Sequence, residues 1–147
     1  MLTSLSDTAA LADHLRPVLL RLSRQLRRQS EPLGLSAIDA MLLSLITNRE
    51  GAGVSELAEL EQMSRPTMSA HVKRLEAAGW IIRAAPDPDD KRRVGLTVTE
   101  AGREALLAVR RRRTDWLARQ LAALTPEARA AIEAALGPLA QIIREPS

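Results

Sequence analysis

The chain has 147 residues, 46% of them hydrophobic and 27% charged, and it contains no cysteine. This balance is ordinary for a folded protein, and the length predicts one domain, residues 1–147, with one core. Without cysteine, a disulfide scaffold, a thiolate metal site and a thiol-based redox switch are excluded. Because the sequence shows neither an apolar run of membrane-spanning length nor a signal-peptide pattern, we expect a cytoplasmic protein with no membrane partner.

The basic residues are unevenly distributed along the chain. The formal net charge is only +3, but arginine and lysine cluster within residues 16–28, 73–93 and 110–113. Local patches of positive charge matter more than the total charge for attraction of an anionic partner. The run Arg110–Arg113 covers four consecutive positions that wrap around a helix. We therefore expect most of its side chains to be solvated or paired across a dimer, although contact with nucleic acid is the alternative.

The first predicted helix, Thr8–Arg28, carries one apolar stripe, because its leucines fall three and four residues apart: Leu11, Leu15, Leu19, Leu22 and Leu26. Pro17 lies inside this pattern and predicts a kink or a break near Leu15–Arg16.

Two helices with similar stripes are predicted near the other end of the chain. Thr99 caps the first of them, and Thr125-Pro126-Glu127 ends it and begins the second. The second stripe is interrupted by Gly137-Pro138 and consists of Ile132, Leu136, Leu139 and Ile143. Because a small middle region cannot cover all these apolar side chains, we predict that segments 8–29 and 103–143 form a homodimer.

Between these helices, residues 36–102 read as three helices followed by two strands. Ser36 caps the first helix, with Asp39 at the capping-box position, and the residues predicted to face inward are Ile38, Leu42, Leu45 and Ile46. After a turn at Gly51–Gly53, Val54 is predicted as a single strand residue and Ser55 as the cap of the next helix.

The third helix of this middle region and the two strands complete the pattern. Glu61-Gln62-Met63 is the predicted turn, Ser64 caps the following helix, Pro66 lies in its first turn, and Gly79 ends it. Segments Trp80–Ala84 and Val94–Val98 are the predicted strands. A helix-turn-helix followed by a basic β-hairpin is a DNA-reading layout, with a helix for the major groove and a cationic tip for the backbone or minor groove. The predicted fold class is therefore mainly α with a small β-wing.

The helix that begins after Ser64 has two different faces. Met68, Val72 and Leu75 are predicted to face the core, with His71 beside them. The small outward side chains at Ser69 and Ala70 would allow close approach to base edges. The predicted DNA-binding residues here are Ser64, Arg65, Pro66, Thr67, Ser69, Ala70, Lys73 and Arg74. The alternative is a solvated helix face in a simple bundle, which leaves the basic hairpin unexplained.

The hairpin tip supplies the remaining predicted DNA contacts, which are Asp90, Lys91, Arg92 and Arg93. Pro and Asp favour the turn itself. Asp90 would hold the guanidinium of Arg92, or that of Arg74, in the pose that enters a narrow minor groove. The alternative is a surface ion pair of little energetic value.

The tip Asp87-Pro88-Asp89-Asp90-Lys91-Arg92-Arg93 and the closing segment Val98-Thr99-Glu100-Ala101-Gly102 resemble the MarR family of bacterial transcriptional regulators. In that family the wing reads D-x-x-D-x-R, matched by Asp87, Asp90 and Arg92, and closes with L-T-x-x-G. Here Thr99 and Gly102 match, and Val98 replaces the leucine. The resemblance covers nearly the whole chain. It implies a winged-helix homodimer on a pseudo-palindromic double-stranded DNA site, with a small-molecule effector at the junction of the dimerisation and DNA-binding regions.

The composition of the chain limits which residues could bind a small-molecule effector. The chain has no Tyr and no Phe, so a pocket would rely on leucine walls and a basic group. The predicted ligand-binding residues are His14, Arg16 and Arg21.

Two other classes of protein remain as alternatives. One is a winged helix that binds only proteins, which salt-sensitive binding to duplex DNA would exclude. The other is an enzyme, but the sequence has no phosphate-binding loop, nucleophile elbow or metal cluster. His14 and His71 lie in different helices without a cysteine or carboxylate set, so we predict neither a metal site nor a cofactor.

Overall fold

The computed structural model describes residues 5–84 and 95–144. Its helices are α1 (Leu5–Arg28), α2 (Ala37–Asn48), α3 (Val54–Leu60), α4 (Arg65–Ala77), α5 (Glu100–Ala122) and α6 (Pro126–Ile142), and its strands are β1 (Ile81–Arg83) and β2 (Leu96–Val98). The chain divides into two compact units, one ending at Arg113 and the other beginning at Thr114. The predicted class, mainly helical with a small β-wing, is confirmed.

The sequence predicted a kink or a break near Leu15–Arg16; helix α1 runs without interruption through Pro17, so the helix does not break there. Proline removes one backbone donor and leaves the carbonyl four residues earlier, that of Asp13, without its helical partner. Both residues are exposed on α1 of this chain. Water can therefore satisfy the carbonyl, and the apolar stripe continues through the site.

The core of the first unit lies between α2, α3, α4, the two strands and the beginning of α5. The predicted inward residues Met68, Val72 and Leu75 of α4 are fully buried, which confirms that face of the helix. They pack in one cluster with buried side chains from the other elements, which include Leu42, Leu43 and Ile46 of α2, Leu57 of α3, Ile81 of β1, Leu96 of β2 and Val109 of α5. Ile38, which was predicted to face inward, is instead 40% exposed.

Among the helices whose N-caps lie in the described residues, α3 is the one without a side-chain cap. The capping box of α2 is confirmed, since Ser36 Oγ accepts from the Asp39 amide and Asp39 Oδ2 accepts from the Ser36 amide. The exception is α3, which begins at Val54 with an extended Gly53 as its N-cap, so Ser55 is not the cap and Val54 is not a strand residue. Besides β1, strand β2 has a backbone partner in the turn before Val54, because Gly51 N–H donates to Leu96 O and Leu96 N–H donates to Ala52 O.

The two strands form an antiparallel pair with Ile81 opposite Val98 and Arg83 opposite Leu96. Both are shorter than predicted, and Val94 lies outside the described residues. Ile81 and Leu96 are buried while Ile82 is 55% exposed, so one face of this small sheet covers the core. Trp80 packs partly buried against the same core.

The Thr-x-x-Gly segment that follows β2 joins the wing to α5. Thr99 Oγ1 donates to Gly79 O at 2.6 Å and accepts from the Gly102 amide at 3.0 Å. Gly102 is buried so closely against β1 that a Cβ atom there would lie 2.2 Å from Trp80 O. Thr99 therefore caps α5, and Gly102 lets α5 approach the backbone that leads into β1.

The second unit, described from Thr114 to Arg144, contains the end of α5 and all of α6. Thr125 caps α6 by accepting from the Ala128 amide, with Pro126 in the first turn, as predicted. Arg129 Nη1 donates to Leu124 O at 2.7 Å and to Leu121 O at 3.3 Å, which satisfies carbonyls at the end of α5. No residue between 114 and 144 is buried in this chain. The large apolar side chains exposed in this unit are Leu124, Ile132, Leu136, Ile142 and Ile143.

Candidate nucleic-acid interface and adjacent cavity

Helices α3 and α4 are joined by a tight turn that Gln62 makes possible. Gln62 has a φ of 53°, in the left-handed region that non-glycine residues seldom adopt. The turn is closed by the Met63 amide, which donates to Ala58 O at 2.9 Å. The chain can then enter α4 at a steep angle, as a helix-turn-helix requires.

Most of the residues predicted to contact DNA on α4 are exposed together. Arg65, Pro66, Thr67, Ala70 and Lys73 are exposed and Ser69 is half-buried, while the opposite face of α4 fills the core. Ser64 Oγ accepts from the Thr67 amide at 3.3 Å and donates to Thr67 Oγ1 at 2.8 Å. The hydroxyl hydrogen of Thr67 therefore remains available for donation. The N-terminal turns of α4 thus present one guanidinium, two hydroxyls and the Arg65 amide to the exterior, because Pro66 has no amide hydrogen and the Thr67 amide donates to Ser64 Oγ.

Arg74, another predicted DNA contact, has a partner within the protein. Its Nη2 lies 2.5 Å from Asp39 Oδ1 and 2.9 Å from His71 Nδ1. The Asp39 side chain is only 7% exposed, whereas that of Arg74 is 51% exposed. Burial raises the pKa of the Asp39 carboxyl, but the hydrogen bonds from Arg74 and Ser36 outweigh burial, and the pKa is lowered. Among the residues described, Asp39 is the acid that holds Arg74; the partner predicted for it, Asp90, lies outside them.

The remaining predicted DNA contacts, Asp90, Lys91, Arg92 and Arg93, lie outside the described residues. At the base of the hairpin, Arg83 Nε donates to Glu76 Oε1 at 3.2 Å, which ties β1 to the end of α4. The hairpin is therefore anchored to α4 where it leaves the core.

A cavity of about 620 Å³ lies in the first unit, beside α2. Its apolar wall comes from α1, α2 and α5 and consists of Leu26, Ile38, Met41, Leu45 and Leu106. Arg27, Arg110 and Arg113 line the same cavity, together with one acid, Glu61. Among the described residues, the ion pairs involve none of these three arginines. An apolar wall with an excess of guanidinium groups suits a small organic anion.

Arg112 and Arg113 donate hydrogen bonds to backbone carbonyls near the end of α1. Arg112 Nε donates to Gln29 O at 3.1 Å, and Arg113 Nε donates to Leu26 O at 3.2 Å. Leu26 O also accepts from the Gln29 amide at 3.2 Å, so Arg113 adds a second donor there, while Arg112 supplies a donor to a carbonyl just beyond the last turn of α1. Burial, and the like charge of Arg27, lower the pKa of Arg113, although an arginine remains charged at neutral pH. Arg110, Arg111 and Arg112 are exposed, whereas Arg113 is half-buried, so the expectation that most of the run is solvated or paired across a dimer does not describe Arg113.

The structure does not bring the predicted ligand-binding residues into this cavity. His14 Nδ1 is 2.7 Å from Ala10 O, Arg16 pairs with Asp13 at 3.2 Å, and Arg21 is exposed on α1. Sequence analysis did not predict that Arg27, Arg110 and Arg113 line a cavity, because nothing in the sequence indicates that α1 and α5, which are distant in the chain, meet there. Among residues 5–84 and 95–144, no group of three or more His, Asp or Glu side chains is arranged to hold a metal ion. Nor is any helix of those residues long and apolar enough to cross a membrane.

Comparison with known proteins identifies the class of this fold. The family model described as MarR family matches residues 35–94, from the end of the loop before α2 into the wing. An uncharacterized HTH-type transcriptional regulator of Mycobacterium bovis is 35% identical over 96% of this chain and 98% of its own. The chain belongs to the MarR family.

Solved structures of MarR-like proteins agree with this assignment. A Pseudomonas aeruginosa protein superposes with a TM-score of 0.81 at 30% identity, over 97% of this chain and 100% of its own. A MarR family protein of Mycobacterium tuberculosis, solved in complex with p-aminosalicylic acid, superposes with a TM-score of 0.61 at 25% identity, over 86% of this chain and 98% of its own. The family and its curated members are transcriptional regulators, not enzymes.

Proposed function

We propose that this protein is a sequence-specific regulator of transcription that acts in the cytoplasm, binds a pseudo-palindromic operator in double-stranded DNA as a homodimer, and represses the genes it controls. The main observation that supports the proposal is that α4 has one buried face and one exposed face. Met68, Val72 and Leu75 are fully buried, so the helix is fixed in the core, while Arg65, Ala70 and Lys73 are exposed. A rigidly held helix with short and basic outward side chains fits the major groove.

The proposed roles divide between the two predicted contact regions. Arg65, Pro66, Thr67, Ser69 and Ala70 would meet base edges or nearby phosphates at the N-terminal turns of α4, and Lys73 would meet phosphate. Arg92 and its neighbours at the wing tip would reach the adjacent minor groove or backbone. In this proposal α4 determines which sequence is preferred, and the wing adds affinity.

Two separate observations support the homodimer, one on the second unit and one on α1. A two-helix unit with no buried residue cannot sustain its own fold. On α1, Leu11 is 64% exposed and Leu20 is 60% exposed. Apolar surfaces of this extent on helix faces are typical of subunit interfaces. We propose that segments 8–29 and 103–143 form the dimer and that 36–102 binds DNA.

The effector is the third part of the proposal. The cavity beside α2 combines apolar walls with Arg27, Arg110 and Arg113, and the similar tuberculosis protein was crystallised with an aromatic carboxylate. We propose that a small organic anion binds in this cavity and changes the affinity for DNA. The predicted contribution of His14, Arg16 and Arg21 is not supported by their positions, which lie away from the cavity lining.

The test of the proposed function is selection of duplex DNA from a random-sequence pool by the purified protein. The expected result is an inverted repeat with half-sites about one helical turn, ~34 Å, apart. Insertion of about five base pairs between the half-sites should abolish binding, because it rotates them to opposite faces of the duplex. Insertion of about ten should restore part of it, which is the matched control.

The competing function, a winged helix that binds only proteins, gives a different result in the same experiment. It predicts that no sequence is enriched and that no salt-dependent binding to duplex DNA is seen. Unchanged affinity after the five-pair insertion would instead mean that the two subunits do not read DNA as a rigid pair.

A further inference from the structure

The contact between Asp39 and Arg74 is the directional link between the beginning of α2 and the end of α4. Asp39 Oδ2 accepts from the Ser36 amide at 3.3 Å and its Oδ1 accepts from Arg74 Nη2, so both oxygens are used. His71 Nδ1, one turn earlier on α4, lies 2.9 Å from the same guanidinium nitrogen. Arg74 is thus tied to a carboxylate that the capping box holds in place, and His71 contacts the same guanidinium from one turn earlier on α4.

Such a link sets the rotation of α4 more sharply than the core does. Met68, Val72 and Leu75 fix the distance of the helix from its neighbours, but apolar contacts are not directional and tolerate small rotations. Charge-assisted hydrogen bonds are directional. With side chains about 5–6 Å from the helix axis, a rotation of about 10° would displace the outer face by about 1 Å. A displacement of that size is enough to spoil hydrogen bonds to base edges.

We propose that Arg74 is a positioning residue for DNA recognition, with Asp39 as its anchor, and that it acts by fixing the orientation of α4 rather than by neutralising a phosphate. This inference rests on the proposed function, since it assumes that α4 reads DNA. It separates Arg74 from Lys73, the adjacent residue on the same helix, which is exposed and has no partner of its own among the described ion pairs.

The test compares Arg74→Gln, Asp39→Asn, the double variant and Arg74→Lys with Lys73→Gln as the matched control. The Asn side chain can still accept from the Ser36 amide, so Asp39→Asn removes the charge and keeps the cap. Each variant is titrated with two probes: the tightest-binding duplex that the wild-type protein selects from a random pool, and a duplex of unrelated sequence. Measurements are made at several salt concentrations, below the melting temperature of every variant.

Arg74→Gln and Asp39→Asn should each weaken binding to the selected duplex about tenfold and binding to the unrelated duplex much less. The salt dependence should stay as in the wild type, because no phosphate contact is lost. The double variant should be no weaker than the weaker single variant, since the two residues act as one pair. Arg74→Lys should recover part of the affinity. Lys73→Gln should weaken both duplexes alike and lower the salt slope by about one ion.

A different pattern would overturn the inference. If Arg74→Gln weakens both duplexes alike and lowers the salt slope, while Asp39→Asn binds as the wild type does, Arg74 is a phosphate contact. If neither variant changes affinity and only melting temperatures fall, the pair is merely structural. If the wild-type protein enriches no sequence from the pool, the proposed function itself fails, which is distinct from both of these results.

Discussion

Substitution of Gly102 by alanine tests how α5 is joined to the wing. Gly102 lies in the first turn of α5, where an added Cβ would be 2.2 Å from Trp80 O, 2.7 Å from Val98 Cγ1 and 3.0 Å from Trp80 C. Two of these three atoms are backbone atoms, which cannot rotate away as a side chain can. Trp80 O also accepts from the Thr99 amide at 2.9 Å, so its movement would strain the cap of α5 as well.

The expected magnitude follows from opposing effects. Alanine is favoured over glycine inside a helix by about 1 kcal/mol. Against this, insertion of a methyl group into a filled site costs roughly 1–3 kcal/mol, and more when the obstacle is backbone. Weakening of the bond between Thr99 and Trp80 adds about 1 kcal/mol. We expect Gly102→Ala to lower the free energy of unfolding by roughly 1–3 kcal/mol.

The assay is urea unfolding followed by far-ultraviolet circular dichroism at one fixed protein concentration, because association makes apparent stability concentration-dependent. Gly137→Ala is the matched control: Gly137 also lies within a helix, and nothing lies within 4 Å of its added Cβ. It should change stability by less than about 1 kcal/mol, since Pro138 limits the helical gain at the residue before it. Equal or higher stability for Gly102→Ala would refute the close approach on which the reasoning depends.

Three further predictions concern charge, assembly and the wing. Hydrogen bonds lower the pKa of Asp39 below its ordinary value of 3.8, despite the opposing effect of burial. The ionised carboxylate therefore stabilises the fold at neutral pH. This stabilisation is lost as the pH falls through the folded-state pKa. The stability difference between wild type and Asp39→Asn should therefore be full above about pH 5 and shrink below 3.8 in acid titrations of unfolding; a constant difference would contradict the pairing. Leu136→Glu should shift the sedimentation coefficient toward that of a monomer. Ile82→Glu, at a similarly exposed position outside the predicted dimerisation helices, should leave it unchanged. A wild-type monomer at micromolar concentration would exclude the dimer. Arg92→Ala should weaken binding to the selected duplex severely and leave the melting temperature unchanged. Asp90→Ala should weaken the same binding to a smaller extent. Tighter binding by Asp90→Ala would mean that affinity follows net charge and that Asp90 does not orient an arginine.

Much of the fold could be predicted from local rules. Ser36, Ser64 and Thr125 each accept from an amide three residues later, a pattern that needs no information beyond four consecutive residues. The buried face of α4 followed from helical spacing alone. Where local reasoning failed, at Val54 and Ser55, the deciding partner was distant: β2 pairs with Gly51 and Ala52, and this pairing fixes where α3 begins.

The candidate site was predictable only in part, for the same reason. Arg65, Ala70 and Lys73 fall on the outward face of one helix, so their common exposure could be read from helical spacing in the sequence. The partners of Arg74 and Arg113 could not, because Asp39 is 35 positions from Arg74 and Leu26 is 87 positions from Arg113. Long flexible side chains can reach any of several acids or carbonyls, and sequence spacing does not rank them. Only the packing of α2 against α4 and of α5 against the end of α1 decides which groups meet, and that packing also creates the cavity.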